Sequence, residues 1–259
     1  MTKSISISRL ACSLSLAGAF LLGTAGPAMA QPPFGTAWPT EIPPAKPQPA
    51  AAAAMQGVWK ITTPTSVLKP VSGTVPFTAE GRKAYDDNKK LKAQRKFDDY
   101  DITTSRCSTP GVPRLMLMPM RFHLLNQQNV VTIDFEWNRA IRQIDLRGIV
   151  KEKGLVPNQV GVTSGSWDGD TLVAITTDGS DRTLIDDLVP RTADTKVTER
   201  FRLIDENTLE DRITIEDATY FTQPWEAVLT FKRQPTELFA EDVCLDRLDA
   251  QRAGKKKTS

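Results

Sequence analysis

Apolar and polar residues alternate with period two over much of the chain, the pattern of strands with one buried face. Residues 56–63 put Trp59 and Ile61 on one face. Residues 129–137 put Val131, Ile133, Phe135 and Trp137 on one face and Thr132, Asp134 and Glu136 on the other, and 140–149 continues as a partner. Trp167 and Thr171 flank Asp168-Gly169-Asp170, a hairpin turn that leads into the β-branched run Thr171–Thr177. Residues 197–204 set Val197, Phe201 and Leu203 against Arg200 and Arg202. Asp205-Glu206-Asn207 turns the chain, and 209–215 returns with Ile213 and Ile215 inward. Residues 224–234 then line up Ala227, Leu229, Phe231 and Arg233. About seven or eight strands at hairpin spacing predict a mainly β, antiparallel fold, and closure into a barrel would remove its edges.

One segment breaks this period. Thr78 is placed to cap a helix over 79–96, whose apolar stripe (Ala84, Tyr85, Leu91, Ala93) is thin enough to predict a surface position. Before the first strand, 31–54 holds seven of the 18 prolines and ends in five alanines. It reads as a disordered linker, with Phe34, Trp38 and Ile42 as possible anchors on a partner. The domain boundaries are then 55–248 for the barrel and 249–259 for a basic disordered tail that includes Lys255-Lys256-Lys257.

The N-terminus changes how charge and cysteines are read. Lys3 and Arg9, the apolar run from Leu10 to Leu22 and the small-x-small Ala28-Met29-Ala30 form a cleavable secretory signal peptide at 1–30. The apolar run falls short of the roughly 20 residues of a spanning helix, and Cys12 lies within it rather than at the cleavage point. The mature chain is expected in the periplasm or outside the cell, with no integral membrane segment. The full chain has 33 basic and 31 acidic residues, and loss of Lys3 and Arg9 leaves 31 of each. That balance predicts no general hold on nucleic acid. Cys107 and Cys244 remain, and two cysteines in an oxidising compartment predict a disulfide. Two cysteines and one histidine are a poor ligand set, so no metal and no cofactor is expected.

Gly57-Val58-Trp59 opens the first strand, and Arg233 lies on the apolar face of the last. An arginine there needs a partner, and stacking on the Trp59 ring would supply one. First and last strands of a barrel are neighbours, and the pair resembles the closure signature of lipocalin-like (calycin-type) barrels.

Several stretches also resemble a group of uncharacterised exported bacterial β-rich proteins. They are Gly57-Val58-Trp59, residues 107–114 (CSTPGVPR), 165–173 (GSWDGDTLV), 198–201 (TERF), 214–217 (TIED) and 223–225 (QPW), followed by Cys244 and Asp246. The resemblance implies a secreted β-rich domain and no particular activity. Members of that group carry histidines in the region corresponding to 145–194, where this chain has none.

The lone histidine, His123, has no Ser or Cys motif beside it and reads as structural or surface. Gly161-Val162-Thr163-Ser164-Gly165 reads as a polar loop. Two functions fit. The first is a lipocalin-like cavity for a small hydrophobic or aromatic molecule, lined by Arg114, Trp137, Trp167, Tyr220 and Trp225. The alternative is a cofactor-free lyase, isomerase or hydrolase. It would use carboxylates in or beside strands, Glu136, Glu199 and Asp217, with Arg142 and Arg200. Asp168 and Asp170 are assigned to the turn. A third reading is an envelope interaction protein that uses the Pro-rich arm.

Overall fold

The computed structural model describes residues 46–148 and 159–256. The expected signal peptide, the linker as far as 45 and Lys257 of the tail lie outside them.

Nine strands pair in sequence order and close on themselves. They are β1 (Gly57–Ile61), β2 (Arg121–Asn126), β3 (Val130–Phe135), β4 (Ile141–Asp145), β5 (Val162–Asp168), β6 (Thr171–Thr177), β7 (Lys196–Asp205), β8 (Thr208–Glu216) and β9 (Trp225–Gln234). The barrel is therefore mixed rather than antiparallel throughout. β4 and β5 run parallel and share only Ile144↔Thr163 and Asp145↔Ser164. The polar-loop reading of 161–165 is corrected as well, since all but Gly161 belong to β5. Gly165 is required at that seam: a Cβ there would lie 2.4 Å from Ile144 Cγ2.

Closure joins β1 to β9, and Trp59 and Arg233 are cross-strand partners. The Arg233 guanidinium lies 4.2 Å from the Trp59 ring centroid. It also donates to the carbonyls of Gln56 (2.7 Å), Ala54 (2.8 Å) and Glu206 (2.9 Å). Gly57 has φ +134, and a Cβ there would meet Arg233 Nη1 at 2.6 Å, which explains the glycine of the Gly-x-Trp opening. The end of the expected linker is also built in. Ala50–Ala54 forms one helical turn, α1, with Ala52 and Met55 buried. Alanine favours the helix, and Arg233 donates to its last carbonyl, that of Ala54.

Registry places tight turns at 169–170 and 206–207, with α1, at one end of the barrel. The long connections 62–120 and 178–195, and the shorter 217–224, leave from the other end and form a cap. The cap holds α2 (Ala79–Ala93) and α3 (Ile102–Arg106). Thr78 caps α2 by accepting from Gly81 N at 3.0 Å. The helix stops before 96 because Arg95 takes φ 59. Polar side chains bind the cap segments together. Asp186 accepts from Leu68 N, Leu188 N and Val189 N, and Asn88 donates to Leu188 O. Asp101 caps α3 and accepts two bonds from Arg114, at 2.7 and 2.9 Å.

The chain after β9 runs back along the outside of the barrel to the cap. Phe239 packs on His123, which faces outward from β2, and Asp242 bridges to Trp137. The expected disulfide forms between Cys107 and Cys244, with Cα atoms 5.8 Å apart. It joins α3 to α4 (Cys244–Lys256), so a disordered tail from 249 is corrected to a helix as far as Lys256.

Candidate functional site

Alternation sends Trp59, Phe122, Ile133, Phe201, Ile213 and Phe231 into the lumen, and each is at most 2% exposed. Side chains therefore fill the barrel, and the expected ligand cavity inside it is corrected to a packed core. Large aromatic residues occupy the lumen.

A sealed polar cluster sits within this core. Arg142 on β4 donates to Glu199 on β7 from Nη1 at 2.9 Å and also from Nη2, and Nη2 reaches Thr176 Oγ1 at 3.1 Å. Thr176 shares a hydrogen bond with Thr163 at 2.9 Å. Asp211 on β8 is fully buried beside them, with neither carboxyl oxygen hydrogen-bonded. Desolvation first, then the Glu199 charge, push the Asp211 carboxyl well above its usual range, against the pull of Arg142. The protonated form of Asp211 is thereby favoured, and in that form the cluster balances one cation with one anion.

This proton has a consequence for stability. The folded chain retains it at pH values where the unfolded chain has lost it, so stability falls as pH rises above the ordinary carboxyl value of 3.8. Asp211→Asn removes that dependence. Relative to the parent, the variant is expected to gain up to about 1.4 kcal/mol per pH unit across the window. Urea midpoints of both proteins from pH 4 to 8 check this, and parallel profiles would refute it.

The enzyme candidates do not converge on an open site. Arg142 and Glu199 meet, but in the sealed core. Glu136 is a structural clip: it accepts from Arg121 N and Nε and from Ala240 N, and so fastens the C-terminal segment. Asp217 accepts from Thr192, Thr195, Thr219 and Tyr220. Burial opposes its ionisation, but these bonds hold its carboxyl below the usual range. Arg200 lies on the outer face, paired with Asp168 at 2.6 Å. Among the described residues no group of His, Cys, Asp or Glu is placed to hold a metal.

The expected ligand-binding aromatic residues separate too. Trp137 and Trp225 are core residues, 1% and 5% exposed, and Trp225 packs edge-on to Phe221. Trp167 packs partly buried against the core from β5. Arg114 lines one cleft of the cap and Tyr220 another. One, of about 330 Å³, is lined by Pro64, Thr65, Leu117, Met118, Pro119 and Arg114. Another, of about 360 Å³, is lined in part by Tyr100, Asp181, Arg182, Arg191 and Tyr220.

Sequence reasoning missed Asp211, Thr163 and Thr176. Asp211 was within reach, since it shares the inward parity of Leu209 and Ile213. Arg191 and Asp186 lie in an irregular connection and carry no periodic signal.

No family model matches the chain, and no curated protein does. Among solved structures it is similar to a point mutant of the fluorescent protein UnaG, at 14% identity over 71% of this chain and 99% of that one, with a TM-score of 0.34. It is also similar to a secretory abundant heat soluble protein from Ramazzottius varieornatus, at 9% identity over 70% of this chain and 96% of that one, with a TM-score of 0.32. The fold assignment here rests on the closed strand order.

Proposed function

We propose that this chain is an exported binding protein. Its barrel is a rigid scaffold, and its site is the apolar cleft of the cap, which takes a small neutral apolar or aromatic molecule. The carrying observation is that cleft of about 330 Å³, walled by Leu117, Met118, Pro64 and Pro119 beside a lumen that is already full. Pockets of this size and character suit small ligands. Arg114 is at its edge, but its charge is committed to Asp101 and, at 3.6 Å, to Asp187. Burial opposes the Arg114 charge, and these acids more than restore it. The guanidinium is therefore neutralised within the protein, which favours a ligand without an anionic group. Export rests on the signal peptide pattern of 1–30 and on a disulfide suited to an oxidising compartment.

The test uses the neutral fluorophore N-phenyl-1-naphthylamine. Saturable enhancement at one site is expected. Met118→Glu, which puts a charge in the wall, and Thr65→Trp, which fills the space, are each expected to weaken binding about tenfold or more. Ile175→Ser, on the outer barrel, is expected to leave it unchanged. Absence of saturable uptake, or affinity in both cleft variants equal to that of the parent, would overturn the proposal.

A further inference from the structure

We propose that the second cap cleft is a separate binding site for a small zwitterion, a molecule with a carboxylate at one end and an ammonium group at the other. The cleft lies between α2, residues 98–102 and the 181–191 connection, and encloses about 360 Å³.

The first observation is Arg191 in its wall. This side chain belongs to a residue only 3% exposed. Its guanidinium donates to the Val112 carbonyl at 2.8 Å and reaches the carbonyls of Thr192 and Thr195 at 3.5 Å. None of these contacts is a carboxylate. A buried cation without a direct counter-ion is costly to hold. Its nearest acid partners act only from a distance, and Asp217 is already occupied by threonine hydroxyls and backbone N–H groups. Desolvation accordingly lowers the Arg191 pKa to about 10, which leaves it charged at neutral pH. The chain makes room for the group: a Cβ on Gly179 would lie 2.5 Å from Arg191 Nη2. A ligand carboxylate in the cleft would supply the missing counter-charge.

The second observation is the balance of the rim. Arg182 is exposed and adds a second cation; Asp99 and Asp181 are exposed and add two anions. Asp98 also lines the cleft but is committed to Arg106 at 3.0 Å. With Asp98 set aside, positive and negative groups are equal in number, so neither a simple anion nor a simple cation satisfies the cleft as well as a molecule with both charges. The Tyr100 hydroxyl is buried with no hydrogen-bond partner. Burial, then the charges of Asp101 and Asp187, push its pKa up to about 12, so it remains a donor at neutral pH. Arg191 and Arg182 would face the carboxylate of the ligand, and Asp99 and Asp181 its ammonium group.

Three probes of equal length test this: 4-aminobutyrate, butyrate and butylamine, titrated against the intact protein by saturation-transfer NMR. The expected result is that 4-aminobutyrate binds at least about tenfold more tightly than either singly charged probe, the worth of one charge-assisted hydrogen bond. Arg182→Gln and Asp181→Asn, both at exposed positions, are each expected to weaken it about fivefold to tenfold. Arg191→Gln is expected to abolish binding. Met118→Glu is expected to leave it unchanged, so failure of the apolar cleft and failure of this site read out separately. Equal binding of the three probes, binding of none, or insensitivity to both rim variants would overturn the proposal.

Discussion

Glu199→Ala is expected to destabilise the protein by about 3–5 kcal/mol, the cost of leaving a buried guanidinium without its partner. Arg142 is 1% exposed and reaches no other carboxylate by hydrogen bond among the described residues. Water cannot take the place of Glu199 in a core this dense without opening it. Replacing both residues separates this cost from the net value of the pair. Arg142→Met with Glu199→Leu removes both charges and refills the space, and it is expected to recover most or all of the loss, because desolvating two ions offsets most of their attraction. Urea unfolding of the single and double variants measures both effects. A loss under about 1 kcal/mol for Glu199→Ala would mean that the pair is solvated. Binding of N-phenyl-1-naphthylamine is expected to survive in the double variant, since the cap cleft does not contain these residues.

Loss of the disulfide is expected to cost about 2–5 kcal/mol. Cys107 and Cys244 are separated by 137 residues, a span that holds the eight complete strands β2 to β9. The chain-entropy estimate for a loop of that length lies at the top of the range, near 5 kcal/mol. The bond also pins the C-terminal segment, which otherwise depends on the clip at Glu136 and on hydrogen bonds between Asn138 and the two cysteine backbones. The double variant Cys107→Ala/Cys244→Ala avoids a stray thiol. Its unfolding midpoint should match that of the parent in reductant and fall below that of the parent without reductant. Coincident midpoints with and without reductant would contradict the assignment.

The barrel was legible because strand period and closure leave marks in sequence. Trp59 and Arg233 lie at opposite ends of the domain, yet the need to satisfy an inward arginine predicts their contact, and they are paired in register. β5 was not legible. The inward positions at its start, Thr163 and Gly165, are small or polar because they face the Thr176 hydroxyl and the close approach of β4, so apolar alternation disappears where the packing is tightest. β2 was obscured by the Met/Pro-rich residues that precede Phe122. For the candidate site, residue types were readable but locations were not. Arg114 belongs to a cleft, whereas Arg142, of the same chemistry, is sealed beneath the apolar layer. Buried Asp101, Asp186 and Arg191 occupy irregular connections, where nothing in spacing separates a structural charge from a solvated one. The size of the lumen was beyond reach as well, because it depends on how many strands close the ring and how the aromatic side chains interlock.

Backbone amide NMR during titration with N-phenyl-1-naphthylamine tests the division between a filled barrel and a receptive cap. Shifts concentrated at Thr65, Ser66, Leu117 and Met118, with Ile133, Phe201 and Ile213 unmoved, are the expected result. Shifts concentrated at those three lumen positions would contradict it, since they would place the ligand where the structure has only packed side chains.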